Sequence, residues 1–208
     1  MTERQLAVVT AGLSQPSSTR MLADRLAEAT ESGLGELGAV TATEVVELRD
    51  HAHDLTNNLL TGFAGEKLAA ALDSVVGADG LIAVSPIFSA SYTGLFKTFF
   101  DVLPQGSLDG KPVLIGATAG TPRHSLALEH AIRPLFTYLR AVVVPTAVFA
   151  ATEDWGSGGV AADGTLSGRI SRAGRELAVL MASSDAGPVD PYEHLTPFED
   201  LLRGPSAG

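Results

Sequence analysis

At 208 residues the chain has the length of one large α/β domain, enough to bury about 70% of its unfolded surface, and its 45% hydrophobic and 18% charged content argues against a disordered or fibrous protein. A formal net charge of −10, with no Lys/Arg cluster to offset it, repels nucleic acid and anionic membrane. Cysteine is absent, which removes disulfides, thiolate nucleophiles, Cys-ligated metals and dithiol redox centres, so any redox chemistry has to come from a bound cofactor.

The first residues, MTERQLAVVTAGLS, carry charge of both signs ahead of a short apolar run and read as a strand, Leu6 to Ala11, and not as a signal peptide. Gly12 to Thr19 is a Ser-rich loop, and from Met21 a helical repeat begins with Leu22, Leu26 and Ala29 on one face. Thr43 to Leu48 predicts a second strand, His51 to Gly65 a polar irregular segment, and Lys67 to Val76 a helix that feeds a third strand at Gly80 to Val84. The stretch from Ser85 to Asp101 then connects that strand to an amphipathic helix, Leu95 to Leu103. Lys111 to Thr118 predicts strand four, His124 to Leu139 a helix, and Ala141 to Ala150 strand five. The apolar run at Ala141 to Ala151 is broken by Pro145 and falls short of the roughly 18–20 residues of a membrane span. A soluble, cytoplasmic protein is expected. Trp155 to Gly164 predicts an exposed, mobile Gly-rich loop, and Leu166 to Ala182 a last helix. The expectation is a domain over 1–183 and a Pro- and Gly-rich tail over 184–208, whose apolar cluster Phe198, Leu201 and Leu202 either stays flexible or docks at a subunit interface.

Strict alternation of helices with strands that are apolar throughout predicts a parallel sheet covered on both faces. With five strands in the order 2-1-3-4-5, the topological switch point lies between strands one and three, flanked by the loops Gly12–Thr19 and Pro86–Gly94, with Thr118–Ser125 as a third wall. Ser14, Ser17, Ser18 and Thr19 stand immediately ahead of a helix N-terminus, where hydroxyls, unpaired N–H groups and the helix dipole together suit a phosphate. Neither GxxxxGK[ST] nor GxGxxG occurs. Each loop by itself reads equally as a helix cap or an ordinary βα connection. Together they suit a flat phosphate-bearing ligand with a polar rim, of which flavin mononucleotide (FMN) is the natural candidate.

The segment Pro86-Ile-Phe-Ser-Ala-Ser-Tyr-Thr-Gly-Leu-Phe-Lys-Thr-Phe-Phe-Asp-Val-Leu-Pro104 resembles the P-x-Y-x5-G-x-[LF]-K-x3-D signature of the NAD(P)H-dependent FMN reductases, and more narrowly the reductase components of two-component alkanesulfonate and luciferase-like monooxygenase systems. The similarity extends through Leu108-Asp-Gly-Lys-Pro-Val-Leu-Ile115 and the loop and helix that follow. The resemblance implies a flavodoxin-like three-layer sandwich with FMN at the switch point. Its phosphate would be held by Ser14, Ser17, Ser18 and Thr19, its ribityl chain and ring edge by Pro86, Ile87, Phe88 and Ser89, and its isoalloxazine bordered by Thr118, Ala119, Gly120 and Thr121. Two positions depart from the family pattern. Gln15 stands where many members carry Arg, leaving neutralisation to N–H groups, hydroxyls and Arg20, and Phe88 stands where Tyr is frequent.

The resemblance further implies a homodimer or homotetramer, a transient flavin-dependent monooxygenase partner, no metal and no catalytic side chain, since the cofactor carries the hydride chemistry. His130 is either a residue of a helix bulge at a subunit interface or a satisfied histidine beside Glu129 and Arg133. His124 either sits near the flavin or caps the helix, and Arg123 is a candidate for nicotinamide phosphates. Within the same fold, an FMN-retaining quinone or azo reductase and an electron carrier remain alternatives, although a carrier would show a T/S-x-T-G-x-T loop that Gly12–Thr19 does not match.

Overall fold

The uniformly apolar runs Leu6–Val9, Leu81–Val84 and Val113–Ile115 have to be covered on both faces. In the computed structural model, which describes residues 2–155 and 164–184, they are buried in this way. The strands are β1 (Thr2–Thr10), β2 (Ala39–Glu47), β3 (Gly80–Phe88), β4 (Ser91–Tyr92), β5 (Pro112–Ala119), β6 (Val142–Val143) and β7 (Val148–Ala151). The helices are α1 (Ser18–Glu36), α2 (Ala52–Thr61), α3 (Glu66–Gly77), α4 (Gly94–Asp101), α5 (Arg133–Tyr138) and α6 (Leu166–Ser183). The sheet runs β2-β1-β3-β5, with β6 and then β7 paired along β5, all parallel. Leu6, Val8, Ile82, Val84 and Leu114 face Leu22, Leu26, Ala173 and Leu177 of α1 and α6. Ala7, Val9, Leu81, Ala83, Val113 and Ile115 face Leu68 of α3, Phe96 and Phe99 of α4 and Phe136 of α5. This is the expected three-layer, flavodoxin-like architecture with the expected strand order.

Among the described residues seven strands are present where five were expected. The two-residue β4 turns back antiparallel on β3, and the fifth strand is split at 144–147, around Pro145. That gap is held from both helical layers. The Arg133 guanidinium donates to the carbonyls of Val144 at 3.0 Å and Pro145 at 3.2 Å, and the Glu176 carboxylate accepts from the Thr146 N–H at 2.7 Å and its hydroxyl at 2.8 Å.

Two further expectations need correction. The segment 51–65 is not irregular: a 3₁₀ turn (Leu48–His51) leads into α2, which Gly62 ends at φ 77°. Leu55 is the one buried residue of α2, so its apolar periodicity was too sparse to read. The helix expected over 124–139 is broken into a 3₁₀ turn (Pro122–His124), a π segment (Leu128–Ile132) and α5. Pro134 has no N–H, and its ring crowds the carbonyl four residues back, that of His130. The turn widens to relieve this, and the Arg133 N–H returns to Leu128 O, five residues back. His130 therefore lies in a helix bulge, on an exposed face.

Most of the Gly-rich loop expected at 155–164 and all but the first residue of the 184–208 tail lie outside the described residues. Among those described, no helix is long and apolar enough to cross a membrane.

Helices α1 and α6 cross at glycines. A Cβ on Gly174 would stand 2.7 Å from Ala29 and 2.9 Å from the Thr30 nitrogen, and one on Gly33 would stand 2.9 Å from the Ala178 Cβ. Gly174→Val is expected to destabilise the fold by about 1–3 kcal/mol, since backbone and not a flexible side-chain end is in the way. An unchanged urea midpoint would show that the crossing is looser than described.

In the π segment, the hydrogen bond from Arg133 holds the Glu129 carboxyl below its usual range, with burial opposing and the Arg133 charge reinforcing. A carboxylate depressed in this way adds stability that is fully present above its unfolded-chain value and is lost as pH falls through the folded one. Glu129→Gln is expected to cost about 0.3–0.5 kcal/mol at neutral pH, with the gap to wild type closing in acid below the ordinary glutamate range. A gap of constant size across that range would contradict the assignment.

Candidate functional site

The carboxyl ends of β1, β3 and β5 lie side by side, with Thr10 opposite Val84 and Pro86 opposite Thr118. This is the switch point, and the three polar loops converge on it. The first loop begins with Gly12, where a Cβ would run into the Ser17 side chain and come within 3.2 Å of the Thr19 Cβ. Only glycine allows the chain to fold back so tightly onto the helix that follows. That helix starts three residues earlier than its periodicity suggested: Ser17 is the N-cap, its hydroxyl accepting from the Arg20 N–H at 3.2 Å. Ser18 and Thr19 therefore occupy the first turn, and their N–H groups have no partner within the helix.

Three carbonyls of the loop are already occupied by other donors. Ser14 O accepts from Arg49 at 3.4 Å, Pro16 O from the Ser14 hydroxyl at 3.0 Å, and Ser17 O from the Met21 N–H at 3.0 Å. The N–H groups of Ser18 and Thr19 thus stand without an intrahelical partner at the positive end of a 19-residue helix dipole.

The second loop is shorter than expected, because β3 continues through Pro86, Ile87 and Phe88. Ile87 turns its side chain into the core, so its backbone alone can face a ligand, whereas Phe88 is 52% exposed. Ser89 and Ala90 both take left-handed backbone angles, φ 49° and 68°, in a two-residue hairpin of the kind glycine and asparagine usually serve. Strain of this sort is commonly kept at ligand sites. The base of the hairpin is fixed by buried Ser85, whose hydroxyl donates to Pro86 O at 2.9 Å and accepts from the Thr93 N–H at 3.2 Å. Thr93 in turn caps α4. Gly94, the first residue of α4, has open space where a Cβ would stand.

The third loop is tied to the first. Thr19 and Thr118, 2% and 3% exposed, share a hydroxyl hydrogen bond of 2.8 Å. Ala119 follows half-buried, and Gly120 and Thr121 are exposed above it. Arg123 is exposed on the 3₁₀ turn beyond, beside a half-buried His124. The twelve expected site residues thus gather at one end of the sheet. Among them Ser14, Ser18, Phe88, Ser89, Gly120 and Thr121 are exposed, and Thr19, Ile87 and Thr118 are spent on packing or on each other.

Sequence reasoning missed two residues here. Thr10, at the end of β1, is 2% exposed and its hydroxyl has no hydrogen-bond partner, an orphaned polar atom directly ahead of the loop. Arg49 reaches over from the turn after β2 and bonds Ser14 O. The Gln15 amide is satisfied with its oxygen turned to the same guanidinium, at 3.0 Å. Register could have found Arg49, since Thr10 pairs with Glu47 and so brings Glu47–Asp50 beside the first loop. Arg20 is committed elsewhere. Its hydrogen bond to Asp24 at 2.7 Å, and then its proximity to Glu47, hold its pKa above the ordinary arginine value despite partial burial. Among the described residues no cluster of His, Asp or Glu could hold a metal ion. A cavity of about 370 Å³ lined by Leu103, Tyr138 and Arg140 lies by the loop that leads into β5, at the opposite end of the strands.

The arrangement fits FMN. Unpaired donors and hydroxyls at the first loop suit a phosphate monoester, the orphaned Thr10 hydroxyl marks unmet hydrogen-bonding capacity at its base, and Phe88 offers an exposed aromatic face at the rim.

Comparisons with known proteins agree with this geometry. The sequence profile of the family described as NADPH-dependent FMN reductase matches residues 5–156. A Pseudomonas aeruginosa protein named FMN reductase (NADPH) is 35% identical over 178 residues, covering 85% of this chain and 91% of that one. The NADH-dependent FMN reductase SfnF of Pseudomonas putida is 35% identical over 149 residues, covering 72% and 78%. Among solved structures, an oxidoreductase from Corynebacterium diphtheriae superposes with a TM-score of 0.83 at 45% identity, over 88% of this chain and all of that one. The NADH:FMN oxidoreductase EmoB in its apo form gives 0.75 at 28% identity, over 95% and 98%. With three polar loops converging at the switch point and a family profile spanning the sheet that carries them, the chain belongs to the NADPH-dependent FMN reductase family.

Proposed function

We propose that this protein is an NAD(P)H:FMN oxidoreductase whose crevice takes the FMN phosphate at Gly12–Thr19 and the ring between the β3–β4 hairpin and the loop after β5. The observation that carries this reading is the convergence of an anion-accepting helix N-terminus with an exposed aromatic hairpin on one switch point. FMN bound there would supply the redox chemistry, the transfer of a hydride from NAD(P)H and of one proton to give reduced FMN and NAD(P)⁺. The chain's own contribution is positional. Ser18 and Thr19 present N–H groups to the phosphate, Pro86 and Phe88 border the ribityl chain and ring, and the Thr118–Thr121 backbone lines the opposite edge. The ring face between hairpin and third loop is left open to a nicotinamide, with Arg123 at the rim for its phosphates. No side chain acts as acid or base.

The reduced flavin serves a separate flavin-dependent monooxygenase, in line with the resemblance to two-component reductases. The protein works in the cytoplasm, where its nicotinamide reductant is found, and as a homo-oligomer. The exposed Leu126 and Tyr138 on either side of the π segment, with exposed His130 within it, offer an interface.

Steady-state oxidation of NADH and of NADPH, with and without added FMN, tests the activity. Oxidation that saturates with added FMN, from a nearly colourless protein, is expected. A yellow protein that turns over only with a quinone would replace this reading with the quinone reductase, and a yellow protein inert to both nucleotides would point to a carrier.

Gly94→Glu tests the site. The new side chain meets no protein atom at its Cβ, and a carboxylate at the first position of α4 suits the helix dipole, so the fold should keep its thermal midpoint. Beside an anionic ligand the same charge should weaken FMN binding by about tenfold or more, roughly 1.4 kcal/mol. Unaltered FMN affinity would place the flavin elsewhere.

A further inference from the structure

The first loop, Gly12 to Thr19, contains no basic residue, yet it has to hold a phosphate dianion if the reading above is right. The geometry points to Arg49 as the residue that supplies this need from outside the loop, with Gln15 as its adapter: Arg49 holds the loop in its anion-accepting form and sets the preference for a phosphorylated flavin. It acts through the loop and is a positioning residue.

Three observations carry this. First, an anion-binding loop works only if its carbonyls point away from the ligand, and Arg49 takes the carbonyl at the tip, Ser14 O, at 3.4 Å. Second, the one polar loop side chain long enough to reach across, Gln15, lies with its amide against the same guanidinium, and assigning the amide oxygen to that side, which alone satisfies both groups, gives a 3.0 Å hydrogen bond that joins a neutral residue of the loop to a cation behind it. A planar five-donor group is suited to such a task, because it can serve a backbone carbonyl, an amide and a carboxylate at once. Third, the guanidinium is anchored. Its pairing with Glu47 at 3.1 Å fixes it beside the end of β1, and Glu47 is shared with Arg20 in the first turn of α1. One carboxylate therefore holds two cations, Arg49 from the turn after β2 and Arg20 from the first turn of α1. Asp24 on Arg20 and Asp50 on Arg49, at 2.7 and 3.5 Å, close the network on its half-exposed outer side, where water screens them.

The inference rests on the phosphate lying at the first loop, and the experiment separates the two. FMN and riboflavin, which differ by the phosphate, are titrated into wild type, Arg49→Met, Arg49→Lys and Gln15→Ala, with binding followed by flavin fluorescence and folding by thermal midpoint. Wild type is expected to bind FMN well over tenfold more tightly than riboflavin. Arg49→Met should lose about tenfold for FMN and less than about twofold for riboflavin, the size of one charge-assisted hydrogen bond. Arg49→Lys should recover part of the loss, keeping the charge without the fork. Gln15→Ala, at an exposed position that the fold does not need, should move in the same direction by a few-fold, and it decides the matter if Arg49→Met does not fold. A merely structural role would weaken both flavins alike. A wild-type preference for FMN that survives Arg49→Met and Gln15→Ala overturns the role of Arg49 and leaves the site standing. Equal affinity of wild type for the two flavins overturns both.

Discussion

A hydrogen bond between two buried threonines, Thr19 and Thr118, fixes the geometry on which the crevice depends. Strand β3 lies between β1 and β5 in the sheet, so this contact spans the face of β3 near Pro86, the residue opposite Thr118, to join the first turn of α1 to the end of β5. It ties the first loop to the third, while Ser85 and Thr93 separately fix the β3–β4 hairpin between them. Both hydroxyls lie in a dry environment, where a polar pair is held firmly because the alternative is an unsatisfied group. The neighbouring Thr10 hydroxyl has no such partner, and the contrast between satisfied and orphaned hydroxyls a few residues apart separates scaffold from site.

Much of the layout was legible beforehand, and the reason is physical. Strands buried on both faces are apolar at every position, so Leu6–Val9, Leu81–Val84 and Val113–Ile115 announced themselves, and strict alternation with helices left few topologies open. What failed to show was structure carried by one or two residues. Helix α2 buries Leu55 alone, too little for a period to emerge. The continuous helix drawn over 124–139 ignored Pro134, which the rules of helix geometry forbid in mid-span unless the ladder adjusts, and the π segment is that adjustment. In the site, the loops were found because Ser, Thr and Gly cluster in them. That Ile87 could offer only its backbone was not legible, because strand β3 runs past Val84 and places the Ile87 side chain in the core by simple alternation. Arg49 went unnoticed because its role arises from strand pairing, which sequence shows only once the order of β1 and β2 and their register are known.

The charge arrangement around the first loop also bears on how a strongly acidic protein can bind an anion. With a net charge of −10 the whole-molecule field disfavours phosphate, so binding has to be local and short-ranged. A helix dipole, a row of N–H groups and a guanidinium aligned by Glu47 act within a few ångströms, inside the screening length, where the distant carboxylates count for little. The approach of NAD(P)H, which is itself anionic, meets the same unfavourable long-range field and gains no steering from it.

The split edge of the sheet has a consequence of another kind. A parallel sheet ending in an unbroken apolar strand would offer a row of free N–H and C=O groups to any strand nearby, including the same strand of a second molecule. Here the chain beyond β5 is two short pieces, β6 and β7, with Pro145 lacking a donor between them, while Arg133 and Glu176 occupy the acceptors and donors of the gap from either side. The border cannot template a continuous ladder. Copies of this protein are therefore steered away from joining strand to strand through this border, and of the two edges of the sheet it leaves only the unbroken β2 (Ala39–Glu47) able to offer a continuous ladder among the described residues.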